Sequence, residues 1–232
     1  IIKVRNKIVA DGFAHDDYDF TNVGRHLSAL EFHQMAGEKD VEVVDMRNHY
    51  EFEVGHFVNA QHPDAGTFKE AIRKAASTLS ENKNKKILLY CTGGIRCEKA
   101  SAYLKHEGFE QVYQLHGGII EYAQQIKQLG LESKFTGKNF VFDERLGESV
   151  DGKVIASCHQ CGAACDAHTN CANDDCHQLF IQCGACSSEF EGCCSSECQE
   201  IFHLPPEEQL KYRGLKQNHY SKSKIYNRIG TH

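Results

Sequence analysis

The amino-acid sequence predicts an α/β protein: a parallel sheet with helices on both faces, followed by a small cysteine-rich region that binds zinc. Three observations carry this. Short apolar runs alternate with helical patterns between residues 27 and 130, the arrangement in which right-handed crossovers build a parallel sheet. One of those runs, Lys86-Ile87-Leu88-Leu89-Tyr90, leads into the glycine-containing stretch Cys91-Thr92-Gly93-Gly94-Ile95-Arg96. Ten of the twelve cysteines crowd between Cys158 and Cys198 at metal-ligand spacing.

Taken in order, Ile1 to Val9 broadly alternates apolar and polar residues and reads as a strand with one buried face. The chain opens without methionine, so residues 1–20 are expected to be a remnant of an upstream domain. From Leu27 the signals become regular. Ser28 with Glu31 forms a capping box, and Leu30, Phe32 and Met35 supply the apolar face of a helix running to about Ala36. Val41 to Met46 reads as a buried strand, leading into the segment Arg47 to Ala60. Thr67 with Glu70 opens a second helix across Phe68, Ala71, Ile72 and Ala75. The Lys86–Tyr90 strand, the Cys91 loop and a helix through Leu104 follow. Val112 to Leu115 is a further strand, ended by Gly117-Gly118, and Ile119 to Leu129 is helical with Gly130 as its stop. These elements assign residues 21–132 to one domain.

Within it, Cys91 stands where a strand hands over to a helix. Backbone N–H groups, the positive end of the helix dipole and Arg96 all favour thiolate over thiol, so Cys91 is read as a nucleophile. A buried structural cysteine is the plainer alternative. Gly93 and Gly94 argue against it, because they let the backbone turn its amides inward, which core packing does not need. In such a sheet ligands bind beyond the carboxyl ends of the strands, where Cys91 lies.

The loop Cys91 to Arg96 resembles the active-site loop of rhodanese-like domains, whose six residues cradle the sulfur of a cysteine persulfide. Related phosphatase loops carry one more residue to admit phosphate. Asp45-x-Arg47, Tyr50-Glu51 and Gly55-His56 are similar to that family's first signature, and Gly108-Phe109 to Gly117-Gly118 to its last. The resemblance implies that Cys91 carries the persulfide, that the amides of Thr92, Gly93, Gly94, Ile95 and Arg96 hold its terminal sulfur, and that Arg96 supplies positive charge. It implies a bracing ion pair for Asp45 and Arg47. The usual tryptophan after the last glycine pair is missing, and Tyr122 is assigned its place. Cys97 is either a resolving thiol or a packed core residue, with packing preferred. His56 and His116 are read as loop-bracing partners.

Beyond Gly130, Lys134, Gly137, Lys138 and Gly147 mark a polar connection, with Phe140-Val141-Phe142 as a short strand docking back onto the first domain. Residues 133–204 hold the cysteine block. Cys158-x2-Cys161 matches Cys183-x2-Cys186, enough thiolates for one tetrahedral zinc. Cys171, Cys176, Cys194 and Cys198 form a second set, for which Cys165, Cys193, His159, His168 and His177 compete. A segment with so few large apolar residues takes its stability from metal, and a filled thiolate shell makes the sites structural. Residues 205–232 form a basic tail in which Lys211, Arg213, Lys216, Lys222, Lys224 and Arg228 mix with Tyr212, Tyr220 and Tyr226, read on composition as a solvated terminus.

The net charge of −6 excludes a general nucleic-acid coat, so any RNA contact is local. No stretch approaches the roughly 20 apolar residues of a membrane span, and no leader is seen; a soluble, cytoplasmic protein without membrane partners is expected. Nothing in the sequence offers an iron triad, a flavin loop or a haem ligand, so no redox cofactor is identified.

A wider resemblance takes in Ile2-Lys3-Val4-Arg5, the loop from Cys91 through Cys97 to Ser101, His159-Gln160-Cys161 through Asn173, and Glu191-Gly192-Cys193-Cys194-Ser195. These are similar to the bacterial tRNA uridine hydroxylase family. The resemblance implies 5-hydroxylation of the wobble uridine (position 34) with molecular oxygen as co-substrate and the tRNA anticodon loop as partner. It implies either addition of Cys91 to C6 of uracil or a Cys91 persulfide that activates oxygen. Sulfur transfer to a thiol acceptor is the rival activity.

Overall fold

A computed structural model describes residues 18–141 and 146–216. The expected strand Ile1 to Val9 and the tail residues Tyr220, Lys222, Lys224, Tyr226 and Arg228 lie outside them. The first half runs β1 (Arg25–Leu27), α1 (Ala29–Met35), β2 (Val41–Asp45), α2 (His49–Val54), β3 (Gly55–Phe57), α3 (Phe68–Thr78), β4 (Lys86–Tyr90), α4 (Ile95–His106), β5 (Val112–Leu115) and α5 (Gly118–Gln128). Strands β1, β5, β4 and β2 lie side by side in that order, every pairing parallel.

Side-chain alternation along β4 explains why both faces are covered. Ile87 and Leu89 enter one core with Ala71, Ile72 and Ala75 of α3 and Ala100 and Leu104 of α4. Leu88 and Tyr90 enter the other with Phe32 of α1 and Ile119, Tyr122 and Ile126 of α5. Both capping residues act as expected: the Ser28 and Thr67 hydroxyls accept from the amides of Glu31 and Glu70. Leu30 departs from expectation. It is 39 % exposed, and the buried stripe of α1 is Ala29 and Phe32.

Another correction concerns the connection. Gly137 and Lys138 are not loop residues but part of β6 (Phe135–Asn139), which pairs antiparallel with β3 and then with β7 (Glu148–Ser149). The docking strand thus precedes the expected Phe140-Val141-Phe142, of which Phe140 and Val141 are buried but not in a strand and Phe142 lies outside the described residues. Gly137 makes the pairing possible, since a Cβ there would stand 2.3 Å from the Val54 carbonyl oxygen.

The remainder holds the hairpin β8 (His168–Asn170) and β9 (Leu179–Ile181), then α6 (Gly184–Glu189), α7 (Ser196–Phe202) and α8 (Pro206–Lys216). Val54, Phe140, Ala156 and Ile181 share one buried cluster that joins it to the first half, and His159 Nε2 lies 2.8 Å from Glu53 Oε1. Part of the expected tail is therefore helical, with Lys211 and Tyr212 on its exposed surface. No helix among the described residues is long and apolar enough to cross a membrane.

Candidate active site and metal centres

Strand β4 delivers Cys91 to the carboxyl edge of the sheet, and the chain turns at once into α4. Gly94 makes that turn at φ 94°, which aims its amide at the sulfur: the N–H donates to Cys91 Sγ at 3.1 Å. The loop carbonyls are anchored from α5, where Ile119 and Ile120 N–H donate to the oxygens of Cys91 and Thr92 at 3.0 and 3.3 Å. Cys91 is buried among these groups. A hydrogen bond from the Cys97 thiol is the main cause that lowers its pKa from 9.0 to about 6; Arg96 and the amides of Cys97 and Arg96 add to the effect, and burial opposes it. Cys97 is fully buried in the first turn of α4, and burial first, then the neighbouring Cys91, pushes its own thiol upward. The two sulfurs thus form a thiolate and its donor.

Arg96 does not turn its guanidinium to the sulfur alone. It grips Glu51 of α2 in a bidentate pair at 2.7 and 2.9 Å, and Nη2 also donates to Thr92 Oγ1 at 3.1 Å. Glu51 is fully buried, accepts a further bond from the Asn48 amide at 2.9 Å, and takes the Thr92 hydroxyl at 3.1 Å. Beside this pair, Arg47 and Asp45 bond each other at 2.7 Å, and Arg47 Nη2 donates to the Gly55 carbonyl at 2.6 Å, tying β2 to β3.

Two sets of four cysteines converge in the C-terminal half. The sulfurs of Cys158, Cys161, Cys183 and Cys186 all lie within 4.8 Å of one another, as do those of Cys171, Cys176, Cys194 and Cys198. Individual separations are 3.6 Å for Cys161 to Cys183, 3.7 Å for Cys176 to Cys194 and 3.6 Å for Cys194 to Cys198. Four thiolates on a tetrahedral zinc at about 2.3 Å stand about 3.8 Å apart, so both donor sets fit that ion. The Cys183 and Cys194 amides donate to Cys158 and Cys171 Sγ, each at 3.4 Å, supporting the anionic form.

Residues 28–125 match the family model "Rhodanese-like domain", and residues 136–199 match "Rhodanase C-terminal". The chain is 58% identical over 231 residues to the tRNA uridine(34) hydroxylase of Leptospira interrogans, covering 98% of this chain and 63% of that protein. It is 54% identical over 227 residues to the Escherichia fergusonii protein of the same name, covering 98% and 64%. Against that of Yersinia pestis it is 56% identical over 217 residues, covering 94% and 61%. The chain is similar to all three over nearly its whole length and carries a rhodanese-like domain. It spans less than two thirds of the length of these relatives.

The chain places its expected site residues in three groups. Cys91 to Arg96 and Cys97 form one constellation, Asp45 and Arg47 a buried brace beside it, and the two cysteine sets a separate pair of centres. Cys165 and Cys193 belong to neither set. His159 bonds Glu53, and His168 is packed against Tyr50 and Phe140. His56 braces its own loop, with Nδ1 donating to the Phe52 carbonyl at 2.9 Å, while His116 is exposed and 3.9 Å from Glu121. Tyr122, in the place assigned to tryptophan, bonds His33 and the Lys134 amide through its hydroxyl. Glu51 is the residue that sequence reasoning left without a role. A carboxylate three residues into a helix signals a cap, and Glu51 does bond the Asn48 amide, but nothing local reports its partner 45 positions away.

Proposed function

We propose that this chain is the catalytic part of an oxygen-dependent tRNA hydroxylase that converts the wobble uridine, position 34, to 5-hydroxyuridine. The observation that carries the reading is a single ionised cysteine in a loop of inward amides, in a chain 54–58% identical to relatives that bear that name. The Cys91 thiolate adds to C6 of the uracil ring, and the electron pair of the C5–C6 bond moves to C5 and O4. Molecular oxygen then reacts at the electron-rich C5. One oxygen atom stays on C5 and the other leaves as water, with two electrons drawn from a cellular thiol and two protons from solvent. Expulsion of Cys91 from C6, with loss of the C5 proton, restores the ring double bond. Gly94 N–H and the Cys97 thiol hold the thiolate before attack and after release.

The anticodon loop, with its unpaired bases, is the partner that presents such a ring. The two cysteine sets hold structural zinc, because four protein sulfurs leave no open position for catalysis. A tRNA substrate and twelve free cysteines support a cytoplasmic location. The six-residue loop also favours a second reading, sulfane-sulfur transfer to a thiol through a Cys91 persulfide.

Mass spectrometry of tRNA nucleosides from cells lacking the gene, complemented with full-length wild type or Cys91→Ala, tests the proposal. The expected result is loss of 5-hydroxyuridine, restored by wild type alone. Restoration by Cys91→Ala would remove Cys91 from the reaction, and unchanged 5-hydroxyuridine in the deletion strain would favour the sulfur-transfer reading.

A further inference from the structure

We propose that Glu51 makes the Cys91 pocket selective for an electrically neutral reacting group, and so bars small anionic sulfur donors such as thiosulfate from a loop with the form of a sulfurtransferase. This rests on the reading of Cys91 as the nucleophile. An anionic donor needs a cation free to face it. Between Cys91 and Arg96 the only charged side chain is Arg96, and both of its terminal nitrogens are engaged by Glu51. The second guanidinium, Arg47, is paired with Asp45 through Nε and Nη2, and Nη2 also donates to the Gly55 carbonyl; its Nη1 is buried without a hydrogen-bond partner, but the pair with Asp45 leaves no net positive charge. Both buried guanidiniums therefore have their own carboxylate, and the thiolate leaves the pocket negative.

Burial makes this decisive. The side chains of Glu51, Asp45 and Arg47 are 0 % exposed and that of Arg96 is 15 % exposed, so their fields are weakly screened by salt and water. A dianion entering here loses its hydration and meets a pocket of its own sign. An uncharged pyrimidine ring, whose phosphates stay outside, meets neither barrier.

The test compares alkylation of Cys91 by iodoacetamide, which is neutral, with that by iodoacetate, an anion of similar size. Modification is read by peptide mass spectrometry, and the rate ratio is referred to that of 2-mercaptoethanol. Wild-type protein is expected to prefer the neutral reagent about tenfold more strongly than the free thiol does, and the excess preference to shrink with rising salt. Glu51→Gln keeps the side-chain shape but releases the charge of Arg96. Its relative rate with iodoacetate is expected to rise about tenfold. Sulfur transfer from thiosulfate to cyanide should rise with it: the thiolate takes the outer sulfur, sulfite leaves, and cyanide departs with that sulfur as thiocyanate.

A wild-type ratio equal to that of 2-mercaptoethanol would overturn the proposal whatever the fate of the variant. So would a Glu51→Gln ratio equal to wild type. Neither assay contains tRNA, so either result stands apart from success or failure of the hydroxylase reading.

Discussion

Residues 86–106 keep two cysteines inside an apolar core, whereas residues 158–198 hold ten that largely stand in for one. In the first half, strands alternate Ile87 and Leu89 against Leu88 and Tyr90, and helices bury alanine, leucine and isoleucine on both faces. In the second, the cluster around Phe180 is otherwise Cys171, Cys176, Cys193 and Cys198. The difference separates two uses of one side chain. A lone sulfur given one thiol donor and an inward amide is biased toward its thiolate because the fold fixes those partners around it. Four sulfurs within 4.8 Å of one another can hold one ion, which would quench their nucleophilicity and supply the cohesion that apolar area does not.

The largest test of that contrast is removal of metal. A strong chelator, or Cys161→Ser with Cys171→Ser, should unfold residues 158–198 and leave the parallel sheet intact, because roughly 10 kcal/mol of folding free energy in such a domain comes from the ion. Hydrogen exchange resolved by segment, with metal content by mass spectrometry, measures both sides. Equal protection of both halves after chelation would break the comparison.

A smaller effect sharpens the catalytic side. Cys97→Ala removes the donor that contributes most to holding Cys91 at a pKa of about 6. The pH of half-maximal alkylation of Cys91 should rise from about 6 to roughly 7.5 in the variant. The stability effect has a definite sign. The pKa of Cys91 is depressed by folding, so ionisation stabilises the fold fully above the unfolded value near 9 and ceases to do so as pH falls through about 6. Denaturant titrations at pH 5 and pH 8 should therefore show wild type gaining more than Cys97→Ala over that interval. An unchanged alkylation profile would deny the hydrogen bond its role.

The smallest expected change is at the start of α1. Ser28→Ala loses the acceptor for the Glu31 amide and should cost about 1 kcal/mol, read as a lowered midpoint of urea unfolding for the first half with zinc content unchanged. A matching loss in the cysteine-rich half would mean that the two halves unfold together.

Much of the framework was legible because it depends on neighbours in the chain. Apolar runs marked β2, β4 and β5, Ser28 and Thr67 marked helix starts, and the strand, glycine loop and helix around Cys91 lie within twenty-one consecutive residues. Spacing grouped Cys158, Cys161, Cys183 and Cys186, since a pair separated by two residues can reach one ion without help from distant chain; for Cys171, Cys176, Cys194 and Cys198, with wider spacings and competing ligands nearby, the fold makes the grouping.

Tertiary structure alone decided the rest. Glu51 meets Arg96 across 45 residues, a pairing set by where α2 crosses the mouth of β4. Gly137 looked like loop and proved to be strand, because the close approach of β6 to β3 leaves no room for a side chain. The turn of Cys97 toward Cys91 depends on how the first turn of α4 leaves the loop. Local pattern therefore determined which residues could do chemistry, while the path of the chain decided which charges and hydrogens face them, because electrostatic and packing partners are chosen by distance in space and not in sequence.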